Sequence, residues 1–539
     1  MSHGGSIHEL ELLLLVLLLF VVGLGTLAQR LKTPYPIVLV IGGLILSLVP
    51  HVPQFALNPD IVFLVLLPPL LFEAAFNTSW RDFRHNLVSI LLLAFGLVGF
   101  TAAGVALAAH WIIPGFDWRI GLVLGAVVSP TDALAATSIA KRVHLPRRIT
   151  DILEGESLVN DASGLILLQF AITMVVSGVQ PSVPQELAKL LWLMVGGVGI
   201  GILLGKIIYL FEGRVDNAPV EITASFLFPY LAYLAGEEIK ASGILATVAC
   251  GLFLGRRSSV YFSSTVRLQA WSTWNTLSYA LNGIAFVLIG LQLREVLHAI
   301  ESETLDQLLL AAGVTIVVAV LLRLFWVFPA SRVAYLARHS LLKQTEPEVP
   351  AKAVFVVGWT GMRGVVSLAA AISLPRTLAS GAPFPERGVI IFITFCVIFV
   401  TLVLQGLTLP AMIRALGLAG TEEKNPEEQK AKRRMLRAAL DELDRLHGED
   451  KPDFDSVYDD VARHYRGRLA ALGGEEESEE QEDHPDVGHY LRYRELTQQL
   501  RETERSTLIK LRDANEINDN VLRKLERELD FLDARYQRR

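Results

Sequence analysis

The stretch VVSPTDALAATSIA (127–140), the basic loop KRVHLPRRIT (141–150) and the run DILEGESLVNDASGLILL (151–168) decide how this chain is built. Asp132 and Asp161 both lie in segments apolar enough to span a bilayer. A carboxylate at bilayer depth costs roughly 2.5–3.5 kcal/mol on insertion scales and more in simulation, so it usually lines an ion path or a proton relay. Two of them in consecutive spans, one beside the helix-breaking Pro130, predict a cation site built at a discontinuous helix.

The rest of the chain fits that reading. It has 539 residues, 52% hydrophobic and 19% charged. The charge is not spread evenly. Up to about residue 415 the sequence repeats apolar runs of about 20 residues, long enough to cross a hydrocarbon core of roughly 30 Å. After Leu418 it turns charged and polar. The expected organisation is a membrane domain over 1–415 and a mainly helical cytosolic tail over 416–539. The fold class is all-α, a polytopic membrane protein. The net charge of −6 comes partly from the acidic run 475–483 and says little about partners; no nucleic acid and no cofactor is expected. Cys250 and Cys396 lie in separate apolar segments and make no disulfide framework. No Lys or Arg precedes the first apolar run, 12–27, which is too long for a signal peptide and reads as a retained span.

Thirteen spans are expected, near 9–29, 35–50, 60–78, 87–112, 119–140, 150–177, 186–211, 219–236, 241–255, 270–293, 305–329, 353–375 and 388–414. With the N-terminus outside, the inner loops hold far more Lys and Arg than the outer ones, including Lys141, Arg142, Arg147, Arg148, Arg256 and Arg257. An odd count then puts the tail in the cytoplasm. Two interruptions are spaced like a duplication: Ser129 to Asp132 in the fifth span and Gly358 to Gly364 in the twelfth. The odd offset would place the two halves in opposite orientations, the pattern of a secondary transporter with inverted repeats. In the tail, 422–445 and 490–536 read as helices, the second with a stripe at Leu522, Leu525, Leu529 and Leu532.

Asp161 lies about 11 residues in from Thr150, or about 16 Å at 1.5 Å per residue, near the membrane middle. A desolvated carboxylate there can hold a proton or a monovalent cation in turn, hardly both. Ser157 at i−4 and Glu154 at i−7 share its face. The Ser157 hydroxyl suits a hard ion. Asp151 with Glu154 also fits a capping box, a plain structural role for Glu154. Glu156 and Asn160 form a second i,i+4 pair on a neighbouring face. Pro130 frees an upstream carbonyl, and such carbonyls with the Thr131 hydroxyl are good hard-cation ligands. Asp132 is either a second ligand or a counter-charge to exposed helix N-termini, the latter preferred. Glu73, in LVLLPPLLFEAAF, is either a cation ligand or funnel carboxylate, or a snorkelling acid. Arg323 and Arg363 are the strongly intramembrane cations, since Lys206 can snorkel. A buried arginine needs a carboxylate, and Glu156 is the preferred partner of Arg323. Arg363, between glycines, reads as balancing helix dipoles.

LLPPLLFEAAF (66–76), SPTDALA (129–135), EGESLVNDASGL (154–165), Arg323 in LLRLFW and GWTGMRGVVSLA (358–369) together resemble the monovalent cation/proton antiporter family of prokaryotic sodium/proton antiporters and animal sodium/proton exchangers. The resemblance covers the whole membrane domain. It implies a thirteen-span inverted-repeat fold and a homodimer working by an elevator-like movement; the lack of an organelle signal and the compact, bacterial-style tail favour a bacterial inner membrane. It implies that Asp161 binds cation and proton, that Thr131, Ser157 and Glu73 complete the Na+ site, and that Glu156 pairs with Arg323. Asn160 in place of a second aspartate resembles the electroneutral branch, one cation for one proton. Exchange of Na+, with Li+ as a further ion, is the leading expectation, and K+/H+ exchange the near alternative. A cation channel is disfavoured because a channel needs a continuous pore. A membrane sensor is disfavoured because the tail carries no catalytic motif.

Overall fold

The computed structural model describes residues 7–49, 58–113, 116–177, 183–212, 217–262, 264–298, 304–340, 348–378, 380–420, 426–449 and 455–472, with a few isolated positions elsewhere. The contacts divide the chain into two compact units, Met1–Thr421 and Glu422–Arg539.

Among the described residues, the regular structure of the first unit is all helical apart from a single bridge between Thr377 and Pro383. Helix occupies each of the thirteen places expected to span. Among the described residues, nine helices are long and apolar enough to cross a membrane, and Leu15–Arg30 and Tyr35–Ser47 are shorter apolar helices. Their outward faces carry large apolar side chains, such as Trp111 at 83% and Phe325 at 70% exposure. In water that would be costly; against acyl chains it is the expected surface. With no hydrophobic drive between helices in lipid, close backbone approach does the packing. Gly121 and Gly125 press on Ala106 and Ala102, where a Cβ at Gly121 would sit 2.7 Å from the Ala106 carbonyl. Gly251 and Gly255 do the same against the backbone of Phe72 and Phe76, which fixes the helix bearing Glu73.

The fifth span is broken. Helix Trp118–Val128 stops, Ser129 to Asp132 is non-helical, and helix Ala133–Arg142 follows. Pro130 has no N–H to give the Ala126 carbonyl, and the Ser129 hydroxyl donates to it instead at 3.2 Å. The twelfth span is broken likewise, between Ala351–Trp359 and Val365–Ile372. The two breaks meet: the Asp132 N–H donates to the Met362 carbonyl at 2.7 Å. In an unbroken helix that N–H would serve Val128.

The long helix Arg147–Ser177 runs past this crossing. Gly164 lets it do so, because a Cβ there would collide with the Pro130 ring. The helix starts right after Pro146, a residue suited to a helix start. Asp151 is therefore one turn inside the helix, and the capping box expected for Asp151 and Glu154 is not formed.

The second unit contains the helices Pro426–Glu449 and Asp455–Ala470, packed as a hairpin. His447 contacts Asp455 at 2.7 Å and stacks on Tyr458, while at the other end Arg433 donates to the Leu472 carbonyl at 3.3 Å. The first helix extends beyond the expected 422–445, and the second, Asp455–Ala470, was not expected. The acidic run 475–483 and the leucine stripe 522–532 lie outside the described residues.

Candidate functional site

Two groups of polar side chains surround the crossing, one buried behind it and one facing a cavity. The buried group centres on Glu156 and Arg323, each 1% exposed. Arg323 makes a forked pair with Glu156, Nη1 to Oε1 at 2.5 Å and Nη2 to Oε2 at 2.9 Å. The planar fork matches a carboxylate in this way, and a lysine would not. Arg323 also donates from Nε and Nη2 to the Val357 carbonyl, at 3.3 and 3.1 Å, near the C-terminal end of the first half of the twelfth span. The Thr131 hydroxyl donates to Glu156 at 2.9 Å and accepts from Asn160 Nδ2 at 2.9 Å. Asn160 Nδ2 also reaches the Thr131 carbonyl at 3.1 Å. Thr131 thus links the ion pair to Asn160.

Arg363 and Asp132 serve opposite ends of the half-helices. Arg363 donates from Nε to the Val128 carbonyl at 3.0 Å and from Nη1 to the Gly361 carbonyl. Both acceptors lie at C-terminal half-helix ends, where a cation is favoured. Asp132 Oδ1 accepts from the Leu134 N–H at 2.7 Å and caps Ala133–Arg142. Its side chain also lies against Gly364, where a Cβ would be 2.8 Å from Asp132 Cβ, at the start of Val365–Ile372. One carboxylate therefore sits at two helix N-termini, and one guanidinium at two C-termini.

The second group faces a cavity of about 720 Å³. Its floor holds Asp161, Asp132, Thr131 and Ser157, and Glu73 and Glu154 line its walls. At the other end are the exposed Ser79, His144 and Arg147. Asp161 is 8% exposed, and among the described residues its carboxylate has neither a hydrogen bond nor an ion pair. Ser157 Oγ accepts from the Ala133 N–H at 3.2 Å, which leaves its own proton and a lone pair free. Glu73 accepts from Asn77 Nδ2 at 2.6 Å. Asn282, from helix Ser264–Leu291, also lines the cavity; nothing in the linear sequence set it apart. Among the described residues no cluster of three His, Cys, Asp or Glu is arranged to hold a metal ion. The cavity instead offers carboxylate, hydroxyl and amide side chains together, a mixed hard-donor set suited to a weakly held monovalent cation.

The ten residues singled out from sequence therefore divide. Asp161, Ser157, Thr131, Asp132, Glu73 and Glu154 share the cavity. Asn160, Glu156, Arg323 and Arg363 lie buried behind it, at 1% exposure each. Thr131 belongs to both groups.

Residues 16–415 match the family described as sodium/hydrogen exchanger, transmembrane. The chain is 33% identical to an uncharacterised Na+/H+ exchanger of Mycobacterium bovis over 96% of this chain and 95% of that one. It is 34% identical to a sodium, potassium, lithium and rubidium/H+ antiporter of Bacillus pumilus, over 76% of this chain and 62% of that one. In fold it is similar to the sodium proton antiporter MjNhaP1 of Methanocaldococcus jannaschii, with a TM-score of 0.57 at 20% identity, over 76% of this chain and 98% of that one. A profile match across almost the whole membrane unit, with relatives similar over nearly their full length, shows that this multi-pass membrane protein belongs to the sodium/hydrogen exchanger family, a family of transporters rather than enzymes.

Proposed function

We propose that this protein is a secondary active transporter that exchanges Na+ for H+ by alternating access, with Asp161 binding cation and proton in turn. The observation that carries the reading is Asp161 itself: a buried carboxylate at mid-span, at the floor of a cavity, with no protein cation or donor engaged on it among the described residues. Such a group is neutralised by whatever cation enters, and Na+ and H+ exclude each other there. Ser157, Thr131 and Glu73 line the same cavity and complete the cation site, and Asp132 caps the half-helix beside them. Glu156, Arg323, Asn160 and Arg363 hold the broken helices around it.

The chain spans the membrane thirteen times as two inverted repeats, with the N-terminus outside and the tail in the cytoplasm of a bacterial cell. The broken fifth and twelfth spans, crossing at Asp132 and Met362, support the repeats. On that topology the cavity mouth at Ser79, His144 and Arg147 faces the cytoplasm, so the conformation is inward-open. A homodimer would hold one part of each protomer still while the crossing carries Asp161 across. Exchange is 1:1, because Asn160 is neutral and Asp132 is held as a helix cap.

A second reading, K+/H+ exchange, is favoured by the broad ion range in the name of the Bacillus pumilus relative. One assay separates the two: proton flux in proteoliposomes after pulses of Na+, K+ or Li+ at clamped voltage. Flux driven by Na+ and Li+ but not K+ supports the first reading, and flux driven best by K+ the second. No cation-driven proton flux would overturn both.

A further inference from the structure

Among the described residues, three spans contain a π-helical turn: Val62–Leu66, Leu92–Leu97 and Thr401–Gln405. Such turns are rare and concentrate at functional sites. Here each is engaged by a residue of another span. Val65 O accepts from the Tyr230 hydroxyl at 3.1 Å, and Thr401 Oγ1 accepts from the Arg363 N–H at 3.3 Å. The Leu92–Leu97 turn is engaged twice: Leu92 O accepts from Trp326 Nε1 at 3.1 Å, and Ala94 O accepts from the buried Ser163 hydroxyl.

Those two donors have telling positions. Ser163 follows Asp161 by two residues, which puts it about 200° around the helix and about 3 Å further along. While Asp161 faces the cavity, Ser163 fastens the opposite side of the same helix. Trp326 follows Arg323 by three residues, nearly one turn. Its indole lies against Gly96, where a Cβ would be 2.6 Å from Cζ2, and stacks on Phe100 at 4.9 Å between ring centroids. One turn thus holds the helix that carries Asp161 and Glu156 and the helix that carries Arg323. The Ser163 hydroxyl also lies 2.9 Å from Asn160 O in its own helix. With a single proton to give, it can move from Ala94 O to Asn160 O and release the tether without being left unpaired.

We propose that Ser163 and Trp326 are positioning residues for transport, clamping the Asp161 and Arg323 helices to the Leu92–Leu97 turn and so setting the rotation at which Asp161 meets its cation. The proposal rests on the exchange reading above. It predicts that loosening the clamp weakens cation binding and does not merely lower stability.

The test uses the full chain in proteoliposomes, with Ser163→Ala and Trp326→Phe made separately. The second removes the indole N–H together with part of the ring, and leaves a smaller phenyl ring in its place. Na+-driven proton flux is measured against Na+ concentration at several pH values. In each variant the half-saturating Na+ should rise about two- to tenfold, the effect of one lost hydrogen bond, and the pH profile should move with it. Folded variants whose half-saturation stays within about twofold, with an unmoved pH profile, would overturn the clamp. So would a fall in maximal rate alone, which is what a merely structural contact gives. If Ser163→Ala does not fold, Trp326→Phe decides. A wild-type chain without Na+-driven proton flux would overturn the exchange reading, and with it any role of the clamp in transport.

Discussion

Replacing Glu156 by Gln leaves the Arg323 guanidinium charged, buried and deprived of its carboxylate. The structure sets the size of the effect. The pair is forked at 2.5 and 2.9 Å, and the two side chains are 1–2% exposed. Removing one partner of such a pair costs roughly 3–5 kcal/mol, because the other charge is stranded in low dielectric. The reverse change, Arg323→Met, strands Glu156, whose remaining donor is the Thr131 hydroxyl at 2.9 Å. It also takes two donors from the Val357 carbonyl, though Thr360 Oγ1 still reaches it at 3.0 Å. In the double variant no charge is stranded. What remains is lost polar coverage of Val357 and Thr131, about 1–3 kcal/mol. The double variant should therefore be more stable than either single one. The assay is thermal unfolding of the four proteins in one detergent, read as a double-mutant cycle. Single effects that add within about 0.5 kcal/mol would refute the pairing as an energetic unit.

Other perturbations test separate parts of the site. Gly364→Ala would bring a methyl carbon within 2.8 and 2.9 Å of Asp132 Cβ and Cγ, so it should destabilise by about 1–3 kcal/mol and stop exchange, as thermal melts and flux assays would report. Asp132→Asn keeps the oxygen that caps Leu134, whereas Asp132→Ala loses it; the Ala variant should melt lower by the equivalent of about 0.5–2 kcal/mol while the Asn variant stays near wild type. Competition at one carboxylate predicts that, on the acidic limb, half-saturating Na+ rises about tenfold per unit fall in pH, and a half-saturation independent of pH would contradict shared occupancy. For 1:1 exchange, net flux should stop where the Na+ and H+ ratios match at any membrane potential; a reversal point that moves with voltage would reveal a second proton carrier.

The charged residues at bilayer depth were legible because their cost has no cheap explanation. Asp161, Glu156, Arg323 and Arg363 stand out from apolar surroundings in a way no surface charge does. The breaks were legible too, since Pro130 and the glycines from Gly358 to Gly364 interrupt otherwise continuous runs. The π turns were not. Residues 62–66, 92–97 and 401–405 are ordinary apolar sequence, and the donors that engage them come from distant spans. Asn282 was hidden for a related reason. Which side of its helix faces the cavity depends on packing such as Gly283 against Val21, where a Cβ would lie 2.5 Å from Val21 Cγ1. The start of the Asp161 helix was misplaced because Arg147 and Arg148 look like loop, while the decisive signal, Pro146, lies just before them. In the tail, charge-rich sequence gave no apolar stripe strong enough to mark Asp455–Ala470 as a helix.

The central claim is that one carboxylate serves both ions. Its most direct test is Asp161→Asn, reconstituted as folded protein beside wild type, with 22Na+ uptake and proton flux measured in the same vesicles. The side chain keeps its volume and loses its charge, so the crossing should survive while both fluxes fall together, each below about a tenth of wild type. Retention of either flux above about that level, or loss of one without the other, would contradict a single shared site at Asp161.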